Sequence, residues 1–144
     1  MKNQNSYWVL GHRISPKEVS GNYDMVIGET PPNVPGPPPH YHANLDELFH
    51  VLEGTMEFII NGERKLVHQG ESVDLPRNVI HTFGNAGDST CKWLNIHYPK
   101  GFQSFFMHFG VPENEKEAVE KSVNQKIIDE VMQKATDFDM HIKI

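Results

Sequence analysis

Residues 36–62 read GPPPHYHANLDELFHVLEGTMEFIING. The prolines at its head forbid helix and force extended backbone. Two short apolar runs follow, Glu47 to Glu53 and Thr55 to Ile60, divided by Gly54 and closed by Asn61-Gly62. Asn-Gly between Phe58-Ile59-Ile60 and Glu63 to Val67 predicts a two-residue hairpin, because both residues accept the positive φ that the turn requires. Just upstream, His40 and His42 are two apart, so on a strand their side chains leave the same face and can hold one ion.

Working outward, the same grammar continues. Glu63 to His68, Ser72 to Leu75, Ile80 to Asn85 and Cys91 to Tyr98 are short runs, punctuated by Gly70, Arg77-Asn78 and Gly84 to Asp88. Tyr7 to Leu10 and Tyr23 to Glu29 also read as strands, separated by Ser15-Pro16 and Ser20-Gly21-Asn22. Thr30 to Pro39 carries six prolines and reads as extended chain. Many short strands at this spacing predict an all-β sandwich or barrel.

After Pro99 the period changes. Phe102, Phe105, Phe106 and Phe109 mark one face of a short helix ended by Gly110 and Pro112. Val119, Val123, Ile127, Val131 and Ala135 recur every four residues through a charged stretch, predicting one amphipathic surface helix. Both stripes read as packing faces. The chain reads as one domain over 1–144: N-terminal strands and a proline-rich lead-in (1–35), a barrel core (36–98) and a C-terminal helical extension (99–144).

The middle third carries the chemistry. Asn44-Leu45-Asp46 can turn the chain so that Glu47 joins His40 and His42, and His81 opens a further strand that can supply a fourth ligand. One carboxylate and three imidazoles suit one divalent transition metal, Fe, Ni, Mn, Co, Cu or Zn, and in an octahedral ion they leave two open positions. Strand alternation puts Phe49 and Val51 on the face of Glu47, and Phe83 and Asn85 on that of His81, so these four are expected to line a substrate pocket. His50 falls on the opposite face. His97 has no register that the sequence fixes and is expected outside the pocket, while His12, His68, His108 and His141 lack spacing partners and are expected at the surface. Cys91, the single cysteine, reads as a small apolar strand residue.

The spacing resembles that of the cupin superfamily in two motifs, His40-x-His42-x4-Glu47-x6-Gly54 and Gly70-x5-Pro76-x-Asn78-x2-His81-x3-Asn85, with fifteen residues between Gly54 and Gly70. Two positions depart from it: Val34 stands where the glycine before the first His is usual, and Asn78 replaces a second glycine, though Asn tolerates left-handed backbone. The resemblance implies a double-stranded β-barrel of jelly-roll type with C-terminal helices, and His40, His42, Glu47 and His81 as metal ligands. The stretches "PPPHYHANLDELFHVLEG", "LPRNVIHTFGN" and "YPKGFQSFFMHFG" are similar to those of single-domain relatives of quercetin dioxygenase. That likeness implies a dioxygenase acting on a small enolisable or phenolic, flavonol-like compound, with Glu47 also taking the substrate hydroxyl proton, and it implies a homodimer.

Composition narrows the alternatives. Thirteen Lys and Arg against nineteen Asp and Glu give a net charge of −6, the wrong sign for binding nucleic acid or an anionic membrane. No secretion leader and no run of the ~20 apolar residues that span a bilayer are present, so a cytoplasmic protein with a small-molecule partner is expected. Two other functions stand beside the oxygenase: a metal-dependent isomerase, decarboxylase or hydrolase, and a non-catalytic metabolite-binding module.

Overall fold

The computed structural model describes residues 5–143. In chain order they form β1 (Tyr7–Val9), β2 (His12–Lys17), β3 (Asp24–Thr30), β4 (His40–Tyr41), β5 (Asp46–Glu53), β6 (Thr55–Ile60), β7 (Glu63–His68), β8 (Ser72–Leu75), β9 (His81–Asn85) and β10 (Cys91–Tyr98). Then come α1 (Gln103–Phe109), β11 (Val111–Pro112), α2 (Ala118–Ser122), α3 (Gln125–Lys134), a 3-10 turn (Ala135–Phe138) and β12 (His141–Ile142). Two antiparallel sheets result, β11-β1-β2-β3-β10-β5-β8 and β12-β4-β9-β6-β7. This is the expected all-β jelly-roll barrel with helices at its C-terminal end.

Period-two alternation builds the interior. In β5, Glu47, Phe49 and Val51 are buried between half-buried neighbours, and in β10 the inward set is Cys91, Trp93, Asn95 and His97. Phe49, Phe58, Phe83 and Trp93 pack together at centroid separations of 5.1–6.1 Å, in tilted and edge-on arrangements that suit the ring quadrupoles. The Asn61-Gly62 hairpin forms as expected, with φ of +50° and +84°, and Asn78 takes the left-handed backbone at φ +69°.

Three expectations fail for local reasons. Ser15-Pro16 does not interrupt a strand: β2 runs through it, and Pro16 pairs with Val26 of β3. The absent N–H costs no ladder bond on the other side, because β1 reaches only as far as Ile14. The single long helix is instead two, since Asn124 breaks the chain and caps α3, its Oδ1 accepting from Ile127 N at 2.9 Å. Val119 and Val123 consequently point outward, at 38% and 45% exposure, while Val131 and Ala135 are buried. His12 is not at the surface; it is 5% exposed. Among the described residues no helix is long and apolar enough to cross a membrane.

Candidate metal centre

Two strand pairings and the chain just after β4 bring the predicted ligands together. Antiparallel β4 and β9 set His40 directly opposite His81. Glu47 of β5 lies opposite His97 of β10, and His42 follows the short β4. The His40 ring centroid is 4.4 Å from that of His81 and 5.0 Å from that of His42. Nitrogen atoms of His40, His42 and His81 lie within 4.8 Å of one another, as do ligand atoms of His42, Glu47 and His97. All five side chains are buried.

The outward nitrogen of each predicted ligand is tied to a carbonyl. Nδ1 donates to Pro38 O from His40 (2.8 Å), to Asp139 O from His42 (2.7 Å) and to Val79 O from His81 (3.0 Å). A carbonyl only accepts, so each Nδ1 carries the ring proton and each Nε2 presents a lone pair inward. Such outer partners are what orient metal-binding imidazoles.

Opposite those lone pairs stands Glu47 Oε1, 3.3 Å from His42 Nε2 and 3.0 Å from His81 Nε2. Both distances are short enough for a hydrogen bond, but a lone pair facing a carboxylate oxygen makes none, and among the described residues the buried Oε1 has no hydrogen-bond partner. Donor atoms about 2.1 Å from a shared cation are themselves about 3 Å apart in adjacent positions. Nitrogen lone pairs converging on an unshared carboxylate oxygen therefore fit a cation. The other oxygen, Oε2, is fixed by Asn95 Nδ2 (2.9 Å) and His97 Nε2 (3.1 Å).

The electrostatics agree. Burial alone would raise the Glu47 carboxyl, but its neighbours His97, His42 and His81 hold it well below its ordinary range. Burial, with His81 and His42 close by, drives His40 down to about 3. At neutral pH the site thus offers an anionic oxygen and a neutral His40, the protonation states that bind metal. Burial also lowers His42, but Glu47 more than offsets it and raises the group; a proton there occupies the place a cation would take.

His97 corrects the sequence reading. Its inward position follows from the phase of Trp93, Asn95 and His97 on β10, and its ring packs on Phe102 at 4.6 Å. Asp139 was not anticipated at all. At φ +60°, just beyond the 3-10 turn, it aims its carbonyl at His42 while its carboxylate caps the Ala43 and Asn44 N–H groups at 2.9 Å each.

A cavity of about 520 Å³, mouth included, opens onto the cluster. Phe49 and Phe83 are among its lining. Val51 and Asn85 are not among its lining: Val51 is fully buried in the core, and Asn85 Nδ2 donates to Thr30 O and Ser89 O. The remaining walls are largely apolar, with Trp93, Phe102, Phe105 and Met140 among them.

A family model described as "Cupin domain" matches residues 26–97. The chain is 29% identical over 103 residues to quercetin 2,3-dioxygenase of Bacillus subtilis (strain 168), a match covering 70% of this chain and 30% of that protein. It is 36% identical over 50 residues to an uncharacterised protein of Aquifex aeolicus (strain VF5), covering 35% of this chain and 41% of that one. The matches thus span less than half the length of either relative. Among solved structures, the polyketide cyclase RemF from Streptomyces resistomycificus superposes with a TM-score of 0.58 at 22% identity, covering 67% of this chain and 78% of its own. With the two-sheet barrel, the motif residues assembled at its centre and a family match over half its length, this chain belongs to the cupin domain family.

Proposed function

We propose that the protein is a metal-dependent oxidoreductase of dioxygenase type, acting on a small enolisable or phenolic compound. The observation that carries this reading is the inward convergence of three carbonyl-tethered imidazoles and one unshared carboxylate oxygen beside a cavity walled by aromatic rings. The partial likeness to quercetin 2,3-dioxygenase supports the choice of reaction. His40, His42, Glu47 and His81 would hold the ion. When bound, a divalent transition metal supplies a Lewis acid for a substrate oxygen and, where redox-active, a route for electrons to dioxygen.

The chain's own residues do the rest. Phe49, Phe83 and Trp93 favour a flat, conjugated ligand and exclude water. A substrate hydroxyl entering from the cavity meets the Glu47 carboxylate, which takes its proton and leaves the substrate as the enolate or phenolate. Asn95 and His97 hold Oε2 through that transfer, so the carboxylate keeps its orientation.

The test is oxygen uptake by protein loaded in turn with Fe, Ni, Mn and Co, across flavonols, diketones and catechols. At least one pair should consume oxygen in proportion to bound metal and form no product under nitrogen. No uptake by any form, or product made without oxygen, contradicts the reading.

A further inference from the structure

His12 lies in the same cavity but belongs to no ligand set. It is placed by a tight turn between β1 and β2, where Leu10 (φ +50°) and Gly11 (φ +87°) both take the left-handed region and Val9 pairs with His12 across it. The Gly11 N–H donates to Ser122 Oγ at 3.1 Å, which ties the turn to α2. The His12 ring is held from behind: Nδ1 is 2.9 Å from Thr30 Oγ1, which accepts from Trp93 Nε1 at 3.0 Å. Thr30 and Trp93 are themselves buried.

The relay sets the tautomer. The Trp93 N–H occupies one lone pair of Oγ1, and neutral His12 Nδ1 is the strongest acceptor in reach of the hydroxyl proton. Thr30 therefore donates to Nδ1, and Nε2 carries the ring hydrogen. Among the described residues, no group stands in full hydrogen-bond geometry to that buried Nε2. The Pro35 carbonyl accepts at most a weak bond from the ring, which a ligand oxygen would have to displace. A buried donor left unmet costs about 1–3 kcal/mol, and His12 is one of the residues that line the cavity.

The His12 ring centroid is 5.4 Å from that of Phe83, and both line the cavity that His40, His42 and Glu47 also line.

We propose that His12 is a ligand-binding residue, donating from Nε2 to an acceptor oxygen, a carbonyl or ether, carried by a flat ligand in the cavity. This narrows the substrate class of the site and rests on the proposed function only in assuming that ligands occupy the cavity. The relay behind the ring makes it a fixed donor, suited to a neutral acceptor.

A shape-matched pair tests it: acetophenone and α-methylstyrene, which differ in C=O against C=CH₂. Both are titrated by NMR into the full-length chain dialysed against Zn(II), as wild type, His12→Phe and His12→Gln. Acetophenone should shift the His12 Nε2 resonance. The ratio of the two dissociation constants should move about tenfold towards α-methylstyrene in His12→Phe and recover in part in His12→Gln, which keeps an N–H donor. An undisturbed His12 resonance, or a ratio unchanged by His12→Phe, overturns the proposal. Neither readout uses turnover, so failure of the oxygenase reading leaves this result legible.

Discussion

Acidification should destabilise this protein through His12, by an amount the structure sets. Burial lowers its pKa from 6.5 to about 4, against a smaller opposing effect of the Pro35 carbonyl. Its surroundings are Thr30, Trp93 and Phe83, with Cys91 beside Thr30, and none of these carries a charge at neutral pH. The folded pKa is depressed, so between about pH 6.5 and 4 the unfolded chain binds the extra proton. Stability is therefore full above 6.5, falls as pH drops through that window and levels off below 4. At about 1.4 kcal/mol per pH unit the full loss is about 3 kcal/mol, of which about 2 kcal/mol has gone by pH 5. Other groups titrate too, His40 among them, so the effect is isolated by comparison with His12→Gln, which cannot titrate. Urea unfolding of both proteins at pH 7 and pH 5 should show wild type losing about 2 kcal/mol more than the variant. Equal losses would mean that His12 is solvated or charge-paired in the folded protein, since it would then have no such dependence.

Other consequences follow from single contacts. Asp139→Ala removes the acceptors of the Ala43 and Asn44 N–H groups and loosens the carbonyl behind His42; metal affinity by competition with a chelator should fall about 10-fold or more, and an unchanged affinity means that the C-terminal segment does not position His42. Gly36→Ala drives a Cβ into the Phe83 carbonyl oxygen, so chemical denaturation should show a loss of about 3 kcal/mol or no folded protein; a loss under 1 kcal/mol contradicts the close approach. Asn124→Ala removes the cap of α3 and should cost about 1 kcal/mol, read as a lower denaturation midpoint; no change would place the break between α2 and α3 elsewhere.

What could be read from the sequence was what is local. The Asn61-Gly62 turn, the left-handed Asn78 and the alternation of β5 each depend on a few consecutive residues, and the bounds of β6, β7, β8 and β10 follow from the same signals. The four predicted ligands come together because two spaced motifs fix their strands. His97 needed a register: only once Trp93 is known to face the core does period two carry Asn95 and His97 inward beside Glu47. His12 needed a partner eighteen residues away, Thr30, to make burial of a polar ring tolerable. Asp139 lies ninety-seven residues from His42, in the C-terminal extension, where no motif marks it. The stripe from Val119 to Ala135 misled because its four-residue repeat runs on across a break that Asn124, a strong cap, imposes from within.

The inward nitrogens of His40, His42 and His81 together with Glu47 are expected to hold one cation. Anomalous diffraction from crystals of the Co(II)-loaded protein addresses it most directly. A single cobalt peak about 2.0–2.2 Å from Nε2 of all three imidazoles and from a Glu47 carboxylate oxygen is the expected result. A peak coordinated elsewhere, or no bound cobalt while the four side chains keep their arrangement, would contradict the account.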